Sequence, residues 1–259
     1  MLIAHISDFH VFSRNPETRL VRADAADAAR KIVADLVAFR PKIEAVMFTG
    51  DLTDGGSRED YALLRELLSP LTVPIFVIPG NHDKRPTLRE AFADLCPFED
   101  PEFLHYEAAV GGFRILALDT LVDGKVEGRL CAKRLAWIEQ RLSQSADTPL
   151  LIIMHHPPFL TGIRELDAMA LVEGAHELGR MVAAQRAPVR ILCGHVHRPI
   201  HGVWNGAFVA IAGSPAFQIE LELGPDSDEP GLIQEPYAYF IHSGSEDGSF
   251  AVHTRYVRI

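Results

Sequence analysis

Five apolar runs of this chain end in the same kind of chemistry. "LIAHIS" leads into Asp8-Phe9-His10, "EAVMFTG" into Asp51, and "IFVIPG" into Asn81-His82-Asp83. "LLIIM" leads into His155-His156, and "VRILCG" into His195-Val196-His197. Each run reads as a buried strand that delivers carboxylate, amide or imidazole groups at its carboxyl end. In open α/β sheets, ligands gather just beyond those ends. Taken singly the endings are weak: Gly50-Asp51 is common turn chemistry, and Asp8 could cap a helix beside a surface histidine. Asn81-His82-Asp83 asks for more, because a simple turn needs neither the histidine nor the second acid. All five in this order favour convergence on one site.

Strand-like and helix-like segments alternate through the first three quarters. Leu2–Ile6 reads as a strand. Ala23–Phe39 reads as a helix, with Ile32, Leu36 and Phe39 at helical spacing and Pro41 closing it. The strand of Asp51 is followed by an amphipathic helix, "REDYALLRELLS", halted by Pro70. A short helix is expected around Thr87–Leu95. "FRILALDT" then reads as a strand, "CAKRLAWIEQRL" as a helix, and "GAHELGRMVAAQR" as a helix between the last two ligand-bearing strands. After about Pro199 the pattern turns to antiparallel strands, in "IHGVWNGAFVAIAG", "AFQIELEL", Tyr237–Ile241 and "SFAVHTRYV", with Asn205-Gly206 as a hairpin turn. Gly224–Gly231 reads as an acidic surface loop. No internal repeat or linker divides the chain, so residues 1–259 are expected to form one domain, mainly β from about residue 200. A βαβα pattern that becomes β implies a mixed sheet or two packed sheets flanked by helices.

Composition narrows the class of partner. The net charge of −10 argues against a dedicated nucleic-acid or membrane-surface binder. It does not exclude an anionic substrate, because bound cations invert the local field. Three scattered cysteines, Cys96, Cys131 and Cys193, cannot make a disulfide framework. The start "MLIAHISDFH" has no basic or long apolar leader region, and no window approaches the roughly 18 uninterrupted apolar residues of a membrane span. A cytoplasmic location is expected.

The clustered side chains suit a metal. Histidine with carboxylate favours zinc, iron, manganese or cobalt over magnesium or calcium, which prefer oxygen alone. Seven candidate ligands, Asp8, His10, Asp51, Asn81, His155, His195 and His197, exceed what one catalytic ion needs. Two divalent ions sharing one carboxylate would use them all and leave room for water.

This ordered set resembles the calcineurin-like metallophosphoesterase superfamily, and the resemblance covers nearly the whole chain. It implies a four-layer αββα sandwich of two mixed sheets with a dinuclear centre. By that resemblance Asp8, His10, Asp51 and His197 hold one ion, Asp51, Asn81, His155 and His195 hold the other, and Asp51 bridges. Within the superfamily the chain is similar to class III cyclic-nucleotide phosphodiesterases and bacterial glycerophosphodiesterases, through "ISDFHV", "TGDLTDGG", "VIPGNHD", "GRLCAKRLAWIEQRL", "MHHPP", "CGHVH" and "SPAFQIELEL…EPYAYFIH". Phe159–Leu171 falls where these enzymes place substrate-facing residues.

The expected activity is hydrolysis of small phosphodiesters by a metal-bridging hydroxide, with cyclic nucleotides or glycerophosphodiesters as substrates. His82 is the family candidate for steadying the transition state or protonating the leaving oxygen, and Asp83 is expected to orient it through a hydrogen bond. A phosphomonoesterase, a nuclease and a catalytically silent interaction scaffold are the alternatives. No stable nucleic-acid complex or membrane association is expected; a homodimer or higher homo-oligomer is consistent with the resemblance. His156 reads equally as support for the metal site or as packing, and Asp54 as a residue shaping the ligand loop. Arg14 and Arg85 read as solvated, His5 as a core histidine, and Trp137 and Trp204 as packing. His105, His176, His201, His242 and His253 lie outside the five blocks.

Overall fold

The computed structural model describes residues 1–144, 146–224, 231–244 and 250–259. Most of the acidic segment Gly224–Gly231 therefore lies outside the described residues. In chain order the elements begin with β1 (Leu2–Ile6), α1 (Ala25–Ala38), β2 (Ala45–Phe48), α2 (Arg58–Leu68), β3 (Ile75–Val77) and α3 (Arg85–Phe92). There follow β4 (Tyr106–Val110), β5 (Phe113–Leu118), β6 (Gly128–Arg129), α4 (Ala132–Ser143), β7 (Leu150–Met154), α5 (Arg164–Ala168), β8 (Leu171–Glu173) and α6 (Ala175–Ala183). The chain closes through β9 (Val189–Cys193), β10 (Ile200–Trp204), β11 (Ala207–Ile211), β12 (Gln218–Ile219), β13 (Leu232–Ile233), β14 (Tyr237–Gly244) and β15 (Phe250–Val257).

Two mixed sheets carry the fold. One has the order β15-β14-β1-β2-β3, the other β10-β11-β9-β7-β5-β4. Within the first, β1, β2 and β3 run parallel; within the second, β5, β7, β9 and β11 do. All the candidate ligands therefore follow strands of parallel groups and emerge at a common end. The late β segments divide between the sheets. β14 pairs with β1, and β11 pairs with β9.

The alternation of β7 sets the layers. Leu151 and Ile153 join the core shared with the first sheet, while Leu150, Ile152 and Met154 meet Ile138 and Leu142 of α4 and Leu178 and Val182 of α6. A strand covered on both faces reads as an unbroken apolar run, as "LLIIM" does. The shared core continues through the first sheet to Ile32 and Leu36 of α1 and Leu64 of α2. Fully burying each such side chain contributes about 1.5–3 kcal/mol. The result is the expected sandwich: helices, sheet, sheet, helices.

Local signals account for several element ends. Ser57 caps α2 in a reciprocal box with Asp60. Asn205 and Gly206 both hold positive φ, 48° and 82°, in a two-residue turn between β10 and β11. Helix ends fall within a few residues of the sequence expectation. "AFQIELEL" is a different matter: only Gln218–Ile219 is strand, and Glu220, Leu221 and Glu222 are exposed. The structure adds β4, the short pair β6 and β8, and α5, which the sequence pattern did not indicate.

Candidate metal centre

The five strand ends do meet. Asp8 N–H donates to the Gly50 carbonyl at 3.0 Å, Gly194 N–H to the His155 carbonyl at 3.0 Å, and His195 N–H to both Asp8 carboxylate oxygens at 3.1 Å. The packing leaves no space for larger residues at the crossings. A Cβ on Gly50 would lie 2.5 Å from His155 Nδ1 and 2.9 Å from the Gly80 Cα; one on Gly80 would collide with Asp51.

Six non-glycine residues among those described have left-handed φ, and five are candidate ligands: Asp8 (55°), His10 (46°), Asp51 (47°), His195 (73°) and His197 (57°). That conformation costs a residue with a Cβ roughly 1 kcal/mol or more. Strain gathered at one place on three separate loops, those after β1, β2 and β9, is the mark of side chains aimed for a purpose rather than of turns.

Asp8, His10, Asp51 and His197 each bring a donor atom within 4.8 Å of the others. His10 Nε2 lies 3.5 Å from Asp51 Oδ2 and 3.2 Å from His197 Nε2, and His197 Nε2 lies 3.3 Å from Asp8 Oδ1. The outer nitrogens of both rings are already engaged: His10 Nδ1 with Asp54 Oδ1 at 3.2 Å, His197 Nδ1 with the Phe217 carbonyl at 3.0 Å. Donating there fixes each tautomer with its Nε2 lone pair turned inward.

A second cradle adjoins the first. His155 Nε2 is 3.3 Å from Asp51 Oδ2 and 3.1 Å from Asn81 Oδ1, and His195 Nδ1 is 3.0 Å from the same Asn81 oxygen. His155 Nδ1 donates to the Thr49 carbonyl at 2.7 Å. Asp51 thus faces both cradles. Histidine nitrogens, carboxylate oxygens and an amide oxygen converging with few protons between them fit divalent cations of the zinc, iron or manganese type.

His156 also stands close to His155 and His195, but it has no nitrogen to offer. Thr120 Oγ1 meets its Nδ1 at 2.7 Å, and its Nε2 meets the Val126 carbonyl at 2.9 Å. Burial, with repulsion from His155, pulls it down to about 3. It ties the loops at Thr120 and Val126 to the back of the site.

The electrostatics show where positive charge is wanted. Burial works against a charged His155, yet the carboxylates of Asp51 and Asp8 and the Thr49 carbonyl raise it to about 9. His82 is treated alike: burial lowers it, but Asp51 and Asp54 outweigh that and raise it to about 10.

Asp83 does not hold His82. Its carboxylate faces away, accepting from the backbone N–H of Leu52 (3.2 Å), Thr53 (3.4 Å) and Gly80 (2.9 Å), the Thr53 hydroxyl (3.4 Å) and the Tyr61 hydroxyl (2.7 Å). The expected catalytic contact is corrected on that geometry: Asp83 clamps the Asp51 loop to the Asn81 loop and to α2. The residue that holds His82 is Asp54. His82 Nδ1 lies 3.0 Å from the Asp54 carbonyl and 3.3 Å from its Oδ1. Asp54 also takes the His10 Nδ1 and the N–H groups of Glu17 and Thr18, and these interactions outweigh burial to hold its carboxyl well below the usual range. Its position three residues after Asp51 was visible in sequence, but its direction was not. Arg85 is neither solvated nor free for phosphate: it pairs with Asp119 at 2.7 Å and Asp123 at 2.9 Å. Arg14 is exposed, and His5 is buried with Nε2 3.0 Å from Thr49 Oγ1.

A cleft of about 620 Å³ opens over the two cradles. Asp51, Asn81, His82, His195 and His197 form its floor, and Leu166 and Met169 at α5 with Phe217 and Leu232 form apolar walls. Glu165 is the one charged wall residue, and no lysine or arginine lines the cleft among the described residues.

Comparison with known proteins agrees with this architecture. The calcineurin-like phosphoesterase family matches residues 1–199. A probable glycerophosphodiester phosphodiesterase, GpdQ, of Arcobacter nitrofigilis is 33% identical over 257 residues, 99% of this chain and 93% of that protein. A probable cyclic nucleotide phosphodiesterase of Rhodopseudomonas palustris is 36% identical over 241 residues, 90% of this chain and 85% of its own. In three dimensions the chain is similar to a dimetal phosphatase from Danio rerio, with a TM-score of 0.75 at 16% identity, covering 98% of this chain and 96% of that one. With five strand ends gathering candidate ligands over a two-sheet sandwich, and with these matches, the chain belongs to the calcineurin-like phosphoesterase family.

Proposed function

We propose that this protein is a dinuclear metal-dependent phosphodiesterase acting on small diesters, glycerophosphodiesters or cyclic nucleotides. The observation that carries the proposal is the position of Asp51: one carboxylate oxygen, Oδ2, lies 3.5 Å from His10 Nε2 and 3.3 Å from His155 Nε2. Asp8, His10, Asp51 and His197 would hold one ion and Asp51, Asn81, His155 and His195 the other. Two such ions would supply Lewis-acid charge and a nucleophile from water near neutral pH.

The chain's own residues complete the site. His82, protonated at neutral pH and fixed through Nδ1 by Asp54, keeps Nε2 for the cleft. It would donate to a phosphoryl oxygen or to the departing alkoxide. The apolar walls exclude water and suit a compact substrate. Without lysine or arginine along the cleft, a long polyanion finds no track, which counts against a nuclease. The names of the relatives favour the same substrates.

Two broader readings accompany this. Residues 1–259 are taken as one domain, supported by β14 lying between β15 and β1. A cytoplasmic location is supported by three free cysteines; no helix among the described residues is long and apolar enough to cross a membrane.

The test is turnover of an aryl phosphodiester, its monoester, 3′,5′- and 2′,3′-cyclic AMP and glycerophosphocholine by metal-loaded wild type, Asn81→Ala and His82→Ala proteins. Diester turnover weakened by both changes is expected. Preference for the monoester would replace the reading with a phosphomonoesterase. A folded, loaded protein that turns over no ester would leave an interaction scaffold.

A further inference from the structure

Between the two sheets, away from the metal centre, stands a group of basic side chains with no acid paired to them among the described residues. Arg190 on β9 and His201 on β10 project from the second sheet, and His242 on β14 stands on the first. Arg190 and His201, with Phe208, Phe250 and Val252, line a pocket of about 400 Å³, and His242 is buried against Phe250. Arg190 lies at the opening end of β9, while His195 lies beyond its other end, roughly 15 Å away at about 3.3 Å per residue.

Among the described residues Arg190 and His242 have no hydrogen-bond or charge partner, and His201 stands exposed at the pocket's rim. The Arg190 guanidinium stacks on Phe250, 3.5 Å from the ring centroid, and stands 5.7 Å from that of Phe113. Stacking leaves its N–H edge unused, and it makes no hydrogen bond or ion pair among the described residues. His201 rests on Phe208 and Phe240, with ring contacts only. His242 is 1% exposed, its ring 5.7 Å from Phe250, and both its nitrogens lack a hydrogen-bond partner. A neutral imidazole carries one N–H, and leaving it unmade in a buried place costs about 1–3 kcal/mol. Burial without a compensating acid lowers Arg190, and burial with His201 and Arg190 nearby pulls His242 down to about 3. His5, on the neighbouring strand, adds another buried ring 5.6 Å from His242. In a chain of net charge −10, a half-buried arginine and two histidines with no carboxylate beside them among the described residues are an arrangement suited to an anion.

We propose that Arg190 and His201 form a second binding site, separate from the metal centre, for a small organic anion: one carboxylate or phosphoryl group on an apolar body. The guanidinium edge and the His201 ring take the oxygens, and Phe208, Phe250 and Val252 cover the apolar part. The pocket is large enough for a single-ring acid and too small for a polymer.

The probes are benzoate and phenylphosphonate, with benzamide as the neutral control, added to the metal-loaded protein. Binding is read from the two imidazole 15N resonances of His201, which separates this site from any anion at the metals. At least one anion is expected to shift both resonances saturably while benzamide does not. Arg190→Gln, with diester turnover in the absence of probe unchanged, is expected to weaken that binding tenfold or more. His201→Asn is the second variant if Arg190→Gln does not fold. The proposal is overturned if neither anion moves the two resonances, if benzamide moves them equally, or if a folded variant binds the anion as the wild type does.

Discussion

His10 and His197 face each other Nε2 to Nε2 at 3.2 Å, while the Nδ1 of each is already bonded to an oxygen of Asp54 or Phe217. Two lone pairs at that distance repel unless a proton or a cation lies between them. The surrounding carboxylates of Asp8 and Asp51 make a cation the natural occupant. The same logic holds on the other side of Asp51, where the proton held by His155 in the metal-free protein occupies the place of an ion.

Metal loading is therefore expected to be proton-linked. In the metal-free protein His155 and His82 are raised above their unfolded value of 6.5, to about 9 and about 10. Their contribution to metal-free stability is full below pH 6.5 and is lost as pH rises through about 9 and about 10. A cation at His155 requires the opposite form. Apparent metal affinity should rise up to about tenfold per pH unit between 7 and 9, and the melting-temperature gap between loaded and metal-free protein should widen. Calorimetry in buffers of different ionisation enthalpy should report proton release on loading; its absence would contradict the assignment of His155.

His82→Asn should retain the fold and both ions while lowering diester turnover about 10²–10⁴-fold, the usual contribution of a positioned acid. Its raised value places the proton-bearing form below about 10, so wild-type turnover should fall on the alkaline side as that proton is lost. Cations beside Asp51 move this limb to lower pH. A pH–rate profile with the same alkaline limb in wild type and His82→Asn would remove His82 from the chemistry.

Asp54→Ala touches neither cradle directly but frees the Nδ1 of His10 and takes the carboxylate from beside that of His82, which keeps only the backbone carbonyl of residue 54. Losing such an outer partner commonly costs 10–100-fold in metal affinity or activity. Both effects are expected here: weaker loading at the His10 cradle and, at saturating metal, a lower kcat with altered pH dependence. Asp54→Asn should recover part of each, since its amide oxygen still accepts from one ring.

Asp83→Ala is expected to act on stability first. It strips the partner from three buried backbone N–H groups and two hydroxyls, a loss of about 1–3 kcal/mol for a buried donor left unsatisfied, measured as a lower urea midpoint with little change in m. If Asp83 instead oriented His82, the variant would fold as stably as wild type and lose turnover alone.

The clustering of the candidate ligands was legible in the sequence because its signal is local. A strand that must be apolar stops, and a side chain capable of binding a metal follows at once, as in "TGD" before Leu52 and "MHH" before Pro157. Directions were not legible. His82 and Asp83 are adjacent in sequence, which suggested contact, yet one faces the cleft and the other the clamp under Tyr61. "AFQIELEL" alternates as a strand should, but its second half pairs with no strand among the described residues and is exposed. β4 escaped notice because an edge strand with Tyr106 buried and Ala109 exposed carries a short, weak pattern. The Glu165 wall of the cleft comes from a five-residue helix too short for periodicity to reveal.

The most direct test of the dinuclear account is to strip the protein with a chelator and titrate manganese or zinc back, following bound metal per chain and diester turnover together. The account predicts two ions per chain, turnover rising steeply only as the second binds, and an Asn81→Ala protein that keeps one ion and little activity. Full turnover with one ion or none, or two bound ions with no diester hydrolysed, would contradict it.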